Sequence, residues 1–179
     1  GGRLEKKQSF TDYLLVREPA PASGTLHDAP WLMKAPLDLS KRDGKPLLVI
    51  FEQKVCAGCD EMHAEGFPRP EVAALLQRYR AARVDIAANE VLKTPNGKSL
   101  AMRDWARQLK IAYTPSFVFF DAGGREVFRV EGYLRPFHLA SSLDYVASGA
   151  YRKQPEFQRF IEARAAARRE KGEKIELMK

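Results

Sequence analysis

A strongly apolar run leads directly into the only two cysteines of the chain. Residues Leu47–Phe51 are apolar at consecutive positions, which is typical of a strand that is buried on both faces. Cys56 and Cys59 follow with two residues between them, and residues 60–65 have helical composition. The pattern therefore predicts a C-x-x-C motif at the junction between a buried strand and a helix.

The position and spacing of the two cysteines favour reversible disulfide chemistry. The first turn of a helix leaves backbone N–H groups unpaired, and together with the helix dipole these groups favour a thiolate at Cys56. Cys59, one turn later, is close enough to attack a mixed disulfide formed on Cys56. A bridge across so short a loop constrains little chain, so a purely stabilising role is disfavoured. The motif predicts thiol–disulfide exchange.

The rest of the sequence predicts an α/β order. A hairpin turn at residues 121–124 joins two strands, and Pro36 interrupts a stretch that could form a helix over residues 31–39. We expect the first two strands to be parallel and the last two antiparallel. The predicted strands are 46–52, 82–86, 117–120 and 126–130, and the predicted helices are 60–65, 71–80, 99–109, 136–146 and 155–171.

The 179 residues are enough for one sizeable core with an extension at each end. We expect an N-terminal arm over residues 1–30, in which Tyr13–Val16 forms a short apolar patch. The core domain is predicted over residues 31–150, and a charged helical extension over residues 151–179.

Charge and hydropathy limit the possible classes of partner. The net charge is +7, from 30 Lys and Arg against 23 Asp and Glu, but basic and acidic residues alternate in the tail. This mixture is typical of a solvated helix face, so we predict no nucleic-acid binding. No apolar stretch approaches the roughly 20 residues that span a bilayer.

Three features resemble the thioredoxin superfamily: Cys56-Ala57-Gly58-Cys59 after a buried strand, Thr114-Pro115 before the hairpin, and Gly132 after it. The resemblance covers residues 30–147 and implies a thioredoxin-like fold, a central mixed sheet flanked by helices. It also implies that Pro115 follows a cis peptide bond and packs beside the dithiol. Thr114 and Pro115, with Ala57 and Gly58, would then form the ledge on which an extended substrate peptide binds.

A narrower set of motifs is similar to exported bacterial thioredoxins of the SoxW type. These motifs are Phe51-Glu52-Gln53, Met62-His63, Gly132-Tyr133-Leu134 and residues 145–151. The similarity implies a periplasmic protein, whose signal peptide we expect to be missing from this sequence. It further implies a reductant of disulfides in exported partner proteins, in sulfur oxidation or cytochrome maturation. We expect the protein to be a monomer without a cofactor. A membrane thiol reductant would regenerate the dithiol.

The chain departs from ordinary thioredoxins around the dithiol. Val55 replaces the usual aromatic residue before the first cysteine, and Ala57-Gly58 lacks the usual proline. Ile50 replaces the usual buried acid, so the role of that acid in proton transfer is in doubt. Glu52, four residues before Cys56, could accept the proton of Cys59, or it could be a solvent-facing carboxylate at the strand end.

Two other classes of function compete with disulfide exchange. His63 and His138 could complete a Zn or Cu(I) site with the two cysteines, as in a metallochaperone. The spacing is C-x-x-C and not C-x-x-x-C, however, and we expect His63 about one turn further along the helix, away from the thiols. We therefore predict no metal site. A redox-silent interaction domain is the third possibility.

Overall fold

A mixed four-stranded sheet forms the centre of the protein. The computed structural model describes residues 22–172, so the apolar patch expected at Tyr13–Val16 lies outside the described residues. The strand order is β2-β1-β5-β6, with β1 parallel to β2 and antiparallel to β5, and β5 antiparallel to β6. The strands are β1 (Leu47–Glu52), β2 (Arg80–Asp85), β3 (Val91–Lys93), β4 (Ser99–Ala101), β5 (Ser116–Phe120) and β6 (Glu126–Glu131).

Helices lie against both faces of this sheet. They are α1 (Ala57–Glu61), which continues as a π-helical segment (Met62–Gly66), α2 (Pro70–Leu76), α3 (Met102–Gln108), α4 (Pro136–Ala147), α5 (Ala150–Lys153) and α6 (Phe157–Glu170). None of the helices in residues 22–172 is long and apolar enough to span a membrane. The expected α/β order, the parallel first pair of strands and the antiparallel last pair are confirmed.

The central strand β1 divides the core into two layers. All six of its residues are buried. Ile50 packs with Met62 and Phe67 on one face of the sheet, whereas Phe51 packs with Trp105 on the other. Because successive side chains of a strand point to opposite faces, a strand covered on both sides must be apolar throughout. This is why the run before the cysteines shows no alternation.

The C-terminal helix α6 packs on the core through α4. Ile161 and Ala165 are buried against Phe137, and Phe157 joins an aromatic cluster with Phe128 and Tyr145. The guanidinium of Arg164 is paired with Asp144 and Glu71, donates to the Ser141 hydroxyl and lies over the ring of Phe137. A helix in this region was predicted, and its apolar side is covered by the domain.

Residues 31–39 do not form the helix that the sequence allowed. Proline has no N–H to donate; Pro30 directly precedes the stretch and Pro36 lies within it. The chain instead bonds along two strand edges: Met33 N donates to Ala81 O at 2.8 Å, and Leu39 N donates to Lys93 O at 2.8 Å. These contacts satisfy the backbone without helical hydrogen bonds.

The first three residues of the helix predicted over 99–109 belong instead to a small second sheet. Strands β3 and β4 pair antiparallel, with Leu92 opposite Leu100, around the turn at residues 94–98. Helix α3 therefore begins at Met102 and not at Ser99. Each strand is only three residues long, which is too short to produce a visible alternation of apolar and polar residues.

Candidate functional site

The two cysteines lie at the start of α1 and form a disulfide. Their Cα atoms are 5.2 Å apart. Cys56 is the N-cap of α1, and its sulfur accepts a hydrogen bond from the backbone N–H of Cys59 at 3.1 Å. The helix continues through its π-helical segment to Gly66, and the Cys59 N–H, one of the unpaired donors of its first turn, points toward the Cys56 sulfur. This is the geometry in which a helix terminus stabilises a thiolate.

Both cysteines are buried, and Cys56 is slightly more exposed than Cys59. Cys56 is 6% exposed and Cys59 is 2% exposed in the disulfide form. Val55, the residue directly before Cys56, is 72% exposed. Both cysteines are thus covered in the disulfide form, and the division into an attacking Cys56 and a resolving Cys59 stays a prediction.

Pro115 lies directly beside the loop between the cysteines. A Cβ atom added at Gly58 would stand 3.1 Å from Pro115 Cδ and 3.7 Å from Tyr133 Cβ. The peptide bond between Thr114 and Pro115 is cis. The structure thus brings Ala57, Gly58, Thr114 and Pro115 to one place, as the resemblance implied. The Ala35–Pro36 bond is also cis.

Three large exposed side chains surround the cysteine pair: Val55 precedes it, Tyr113 precedes Thr114, and Tyr133 follows Gly132. We call Val55, Tyr113 and Tyr133 the apolar rim. Tyr133 donates a hydrogen bond from its hydroxyl to Glu61 Oε1 at 3.0 Å, which ties the loop after β6 to α1. Burial, and then Glu61 itself, raise the pKa of the Tyr133 hydroxyl, so it remains a donor.

Glu52 is buried beside α1 and is paired with His63. It is 1% exposed, which excludes the solvent-facing carboxylate considered from the sequence. His63 Nε2 lies 2.9 Å from Oε1 and 3.1 Å from Oε2 of Glu52, and both side chains are almost fully buried. From the sequence, Glu52 was a candidate proton acceptor and His63 a candidate metal ligand. Their hydrogen bond could not be predicted, because they are eleven positions apart.

A second histidine–carboxylate pair covers the first. The ring of His27 stacks on the ring of His63 with centroids 5.0 Å apart, and His27 Nε2 lies 2.6 Å from Asp60 Oδ1. The backbone N–H of Ser23, and then His27, lower the pKa of the Asp60 carboxyl to about 2. Asp60 is therefore an anion that fixes the segment before β1 on the cysteine-bearing helix. His27 carried no local sequence signal for this contact.

The structure gives no support for a metal site in the part of the chain that it describes. No group of three or more His, Cys, Asp or Glu side chains in residues 22–172 is arranged to hold a metal ion. His63, one of the two histidines considered as ligands, is occupied by Glu52. His138 lies on α4, where its ring contacts Phe137.

A family model for a thioredoxin-like domain matches residues 33–147, which is more than half of the chain. The chain belongs to the thioredoxin-like domain family. No curated protein sequence matches it. The matched residues of this thioredoxin-like domain include β1, the cysteine pair, Pro115 and the whole central sheet.

Solved structures agree with the family at the level of the fold. A thioredoxin-fold protein from Helicobacter pylori superposes with a TM-score of 0.68 at 15% identity, covering 76% of this chain and 94% of that one. A thioredoxin from Thermus thermophilus matches at 29% identity with a TM-score of 0.45, covering 57% of this chain and 74% of that one. The first of these confirms the expected thioredoxin-like fold.

Proposed function

We propose that this thioredoxin-like domain is a protein disulfide oxidoreductase that reduces disulfides in partner proteins. The observation that carries the proposal is the Cys56 sulfur, which caps a helix and is bonded to Cys59, while Gly58 between the two cysteines packs against Pro115. A static bridge of this size would add little stability, and the N-terminal end of a helix favours the reactive thiolate.

The proposed cycle transfers two electrons and two protons. The Cys56 thiolate attacks one sulfur of the substrate disulfide, which forms a mixed disulfide and releases the first substrate thiolate. Cys59 then loses its proton and attacks the Cys56 sulfur. The Cys56–Cys59 bond forms, the bond from Cys56 to the substrate breaks, and the second substrate thiolate leaves. Each released thiolate takes up a proton, so the substrate is reduced and the dithiol is oxidised.

The apolar rim and the Thr114–Pro115 edge suit an extended protein segment. Thr114 and Pro115 directly precede β5. An extended peptide that lies alongside Thr114 can form hydrogen bonds with the backbone of Thr114, so that binding depends little on substrate side chains. Exposed apolar groups then add contact area without sequence specificity. This supports a range of disulfide-containing protein substrates and not one small molecule.

The motifs of the SoxW type support a more specific setting for this function. We place the protein in the bacterial periplasm, acting as a monomer on exported partners in sulfur oxidation or cytochrome maturation. The oxidised pair would be reduced again by a membrane thiol donor. The basis for this setting is the resemblance of Phe51-Glu52-Gln53, Met62-His63 and Gly132-Tyr133-Leu134 to that group of proteins.

Insulin reduction tests the proposed function. We expect the wild-type protein to accelerate the reduction of insulin by dithiothreitol, measured as precipitation of the insulin B chain. A reduction potential of about −270 mV for the Cys56–Cys59 couple would identify a reductant, whereas a value about 100 mV higher would identify an oxidant or isomerase. Stoichiometric binding of Cu(I) or Zn by the reduced protein, without insulin reduction, would contradict the proposal and identify a metal carrier.

The apolar rim provides a test of substrate docking. Val55→Ser should lower kcat/KM for insulin by about threefold to tenfold, because burial of one valine on docking is worth on the order of 1 kcal/mol. The reaction of the dithiol with a small disulfide reagent should be unchanged. Val91→Ser is the matched control: Val91 is 58% exposed on β3, in the second sheet. Equal losses in both variants would show that the rim does not contact substrate.

A further inference from the structure

Glu52 is directed toward the helix that carries the cysteines. Ile50 and Glu52 are two residues apart on β1, so their side chains project from the same face of the sheet. Ile50 packs on this face with Met62, which begins the π-helical segment directly after α1. The Glu52 carboxylate therefore lies between the end of β1 and the buried side of that helix.

His63 lies on the same helix face as Cys59. Cys59, Met62 and Gly66 are buried, and together with His63 they form the inward positions of the helix. Residues four apart on a helix are neighbours, with Cβ atoms about 5–6 Å apart, and helical side chains lean toward the preceding turn. The Glu52–His63 hydrogen bonds thus form one turn from the Cys59 sulfur.

Stability alone gives little reason for this pair. Removing a carboxylate and an imidazole from water is costly, and a buried ion pair often contributes no more than apolar residues of the same volume. Glu52 is the one charged residue among the buried residues of the described chain. Buried ionisable groups that are held against a specific partner in this way concentrate at functional sites.

The pair is closed off from solvent by aromatic rings. His27 stacks over His63, Trp31 lies parallel to it at 6.3 Å, and Phe67 meets it edge-on at 4.9 Å. His27 is in turn held by Asp60, whose backbone follows Cys59 directly. A proton that enters the pair is therefore held at a site almost closed to solvent, one helical turn from the thiol that must lose one.

We infer that the Glu52–His63 pair takes up the proton that Cys59 must lose before it attacks the mixed disulfide. Glu52 accepts the proton, and His63 is a positioning residue that holds both carboxylate oxygens. As the new sulfur–sulfur bond forms and the substrate sulfur leaves, the pair passes the proton to that sulfur or to water. The inference rests on the proposed function, and it supplies a proton acceptor to a chain in which Ile50 replaces the usual buried acid.

In the described part of the chain, three titratable groups face the Glu52–His63 pair. They are His27 from the segment before β1, Asp60 from α1 behind His27, and Asp85, which is opposite Glu52 in the register of β1 and β2. Because these groups interact, a measured pH profile reports the cluster as a whole and not one residue.

A two-phase reaction with 5,5′-dithiobis(2-nitrobenzoate) tests the inference on the reduced protein. In stopped flow, the first release of nitrothiobenzoate reports attack by Cys56 and depends on reagent concentration. The second release reports attack by Cys59 and does not. The departing group of this reagent is stable as a thiolate and needs no proton, so the second phase isolates deprotonation of Cys59.

We expect Glu52→Gln and His63→Gln to slow the second phase at pH 7 by about 100-fold, the lower end of the range for general base catalysis. The double variant should be no slower than Glu52→Gln alone, because the two residues act as one unit. The first phase should stay within about twofold of wild type, since Cys56 uses the helix terminus. In the variants the second phase should recover as the pH rises toward about 8.5, where an ordinary thiol ionises.

His138→Gln is the control, since it replaces the third histidine of the chain on α4. It should leave both phases unchanged. Glu52→Gln retains the shape of the side chain, so it remains informative if His63→Gln is poorly folded. An unchanged second phase in Glu52→Gln, or an equal slowing of both phases with the wild-type pH profile, would overturn the inference. Because the reagent is a small disulfide, a wild-type protein that reacts with it but not with insulin would refute the proposed function alone.

Discussion

Replacing Cys59 with serine should trap the substrate on the protein. In Cys59→Ser, Cys56 keeps its place at the helix N-cap and can still attack a disulfide, but no neighbouring thiol can release the product. We expect a covalent adduct with insulin that is visible on a non-reducing gel and disappears on addition of dithiothreitol. Insulin turnover should fall by about 100-fold or more, because no second thiol of the protein can attack the mixed disulfide and release the substrate from Cys56.

Cys56→Ser is the reciprocal control for this experiment. It also leaves one cysteine in the chain, but Cys59 is 2% exposed and lies on the inward side of α1. We expect no adduct and no turnover from this variant. If Cys56→Ser formed the adduct instead, the assignment of attacking and resolving cysteines would be reversed. Full insulin turnover in both variants would eliminate the dithiol mechanism.

The location of the cysteine pair could be predicted because the signals that fix it are local. A five-residue apolar run is typical of a strand that is covered on both faces, and the cysteines follow before the next helix begins. The hairpin after Phe120 could also be predicted, because glycine is favoured in hairpin turns that need a positive φ. In the structure Gly124 has a φ of 87°. Each of these elements depends on residues within about ten positions of one another.

The environment of Glu52 could not be predicted in the same way. Its pairing with His63 depends on the packing of α1 on the sheet, and its cover depends on His27, which precedes His63 by 36 positions. One signal was nevertheless present. Glu52 falls on the same strand face as Ile50, so it had to be buried with the apolar residues there or exposed at the strand end. The sequence left both outcomes open, and the structure selects the first.

The C-terminal extension raises the question of which residues belong to the stable folding unit. Its composition, rich in Ala, Arg and Glu, is compatible both with a free solvated helix and with a packed one. The structure shows Ala165 buried against α4, whereas its neighbour Ala166 is exposed. These two adjacent alanines allow the same substitution to be compared at a buried and an exposed position of α6.

Ala165→Asp should lower the free energy of unfolding by about 3 kcal/mol, because it places a carboxylate and extra volume into a closed apolar contact. Ala166→Asp should cost only about 0.7 kcal/mol, the difference in helix propensity between the two residues. Urea denaturation followed by circular dichroism measures both, and insulin reduction measures whether the dithiol is affected. A large difference between the variants would establish that α6 stabilises the thioredoxin-like domain. Equal small effects would mean that α6 does not contribute to the cooperative unit, and its apolar side would then be free for another protein.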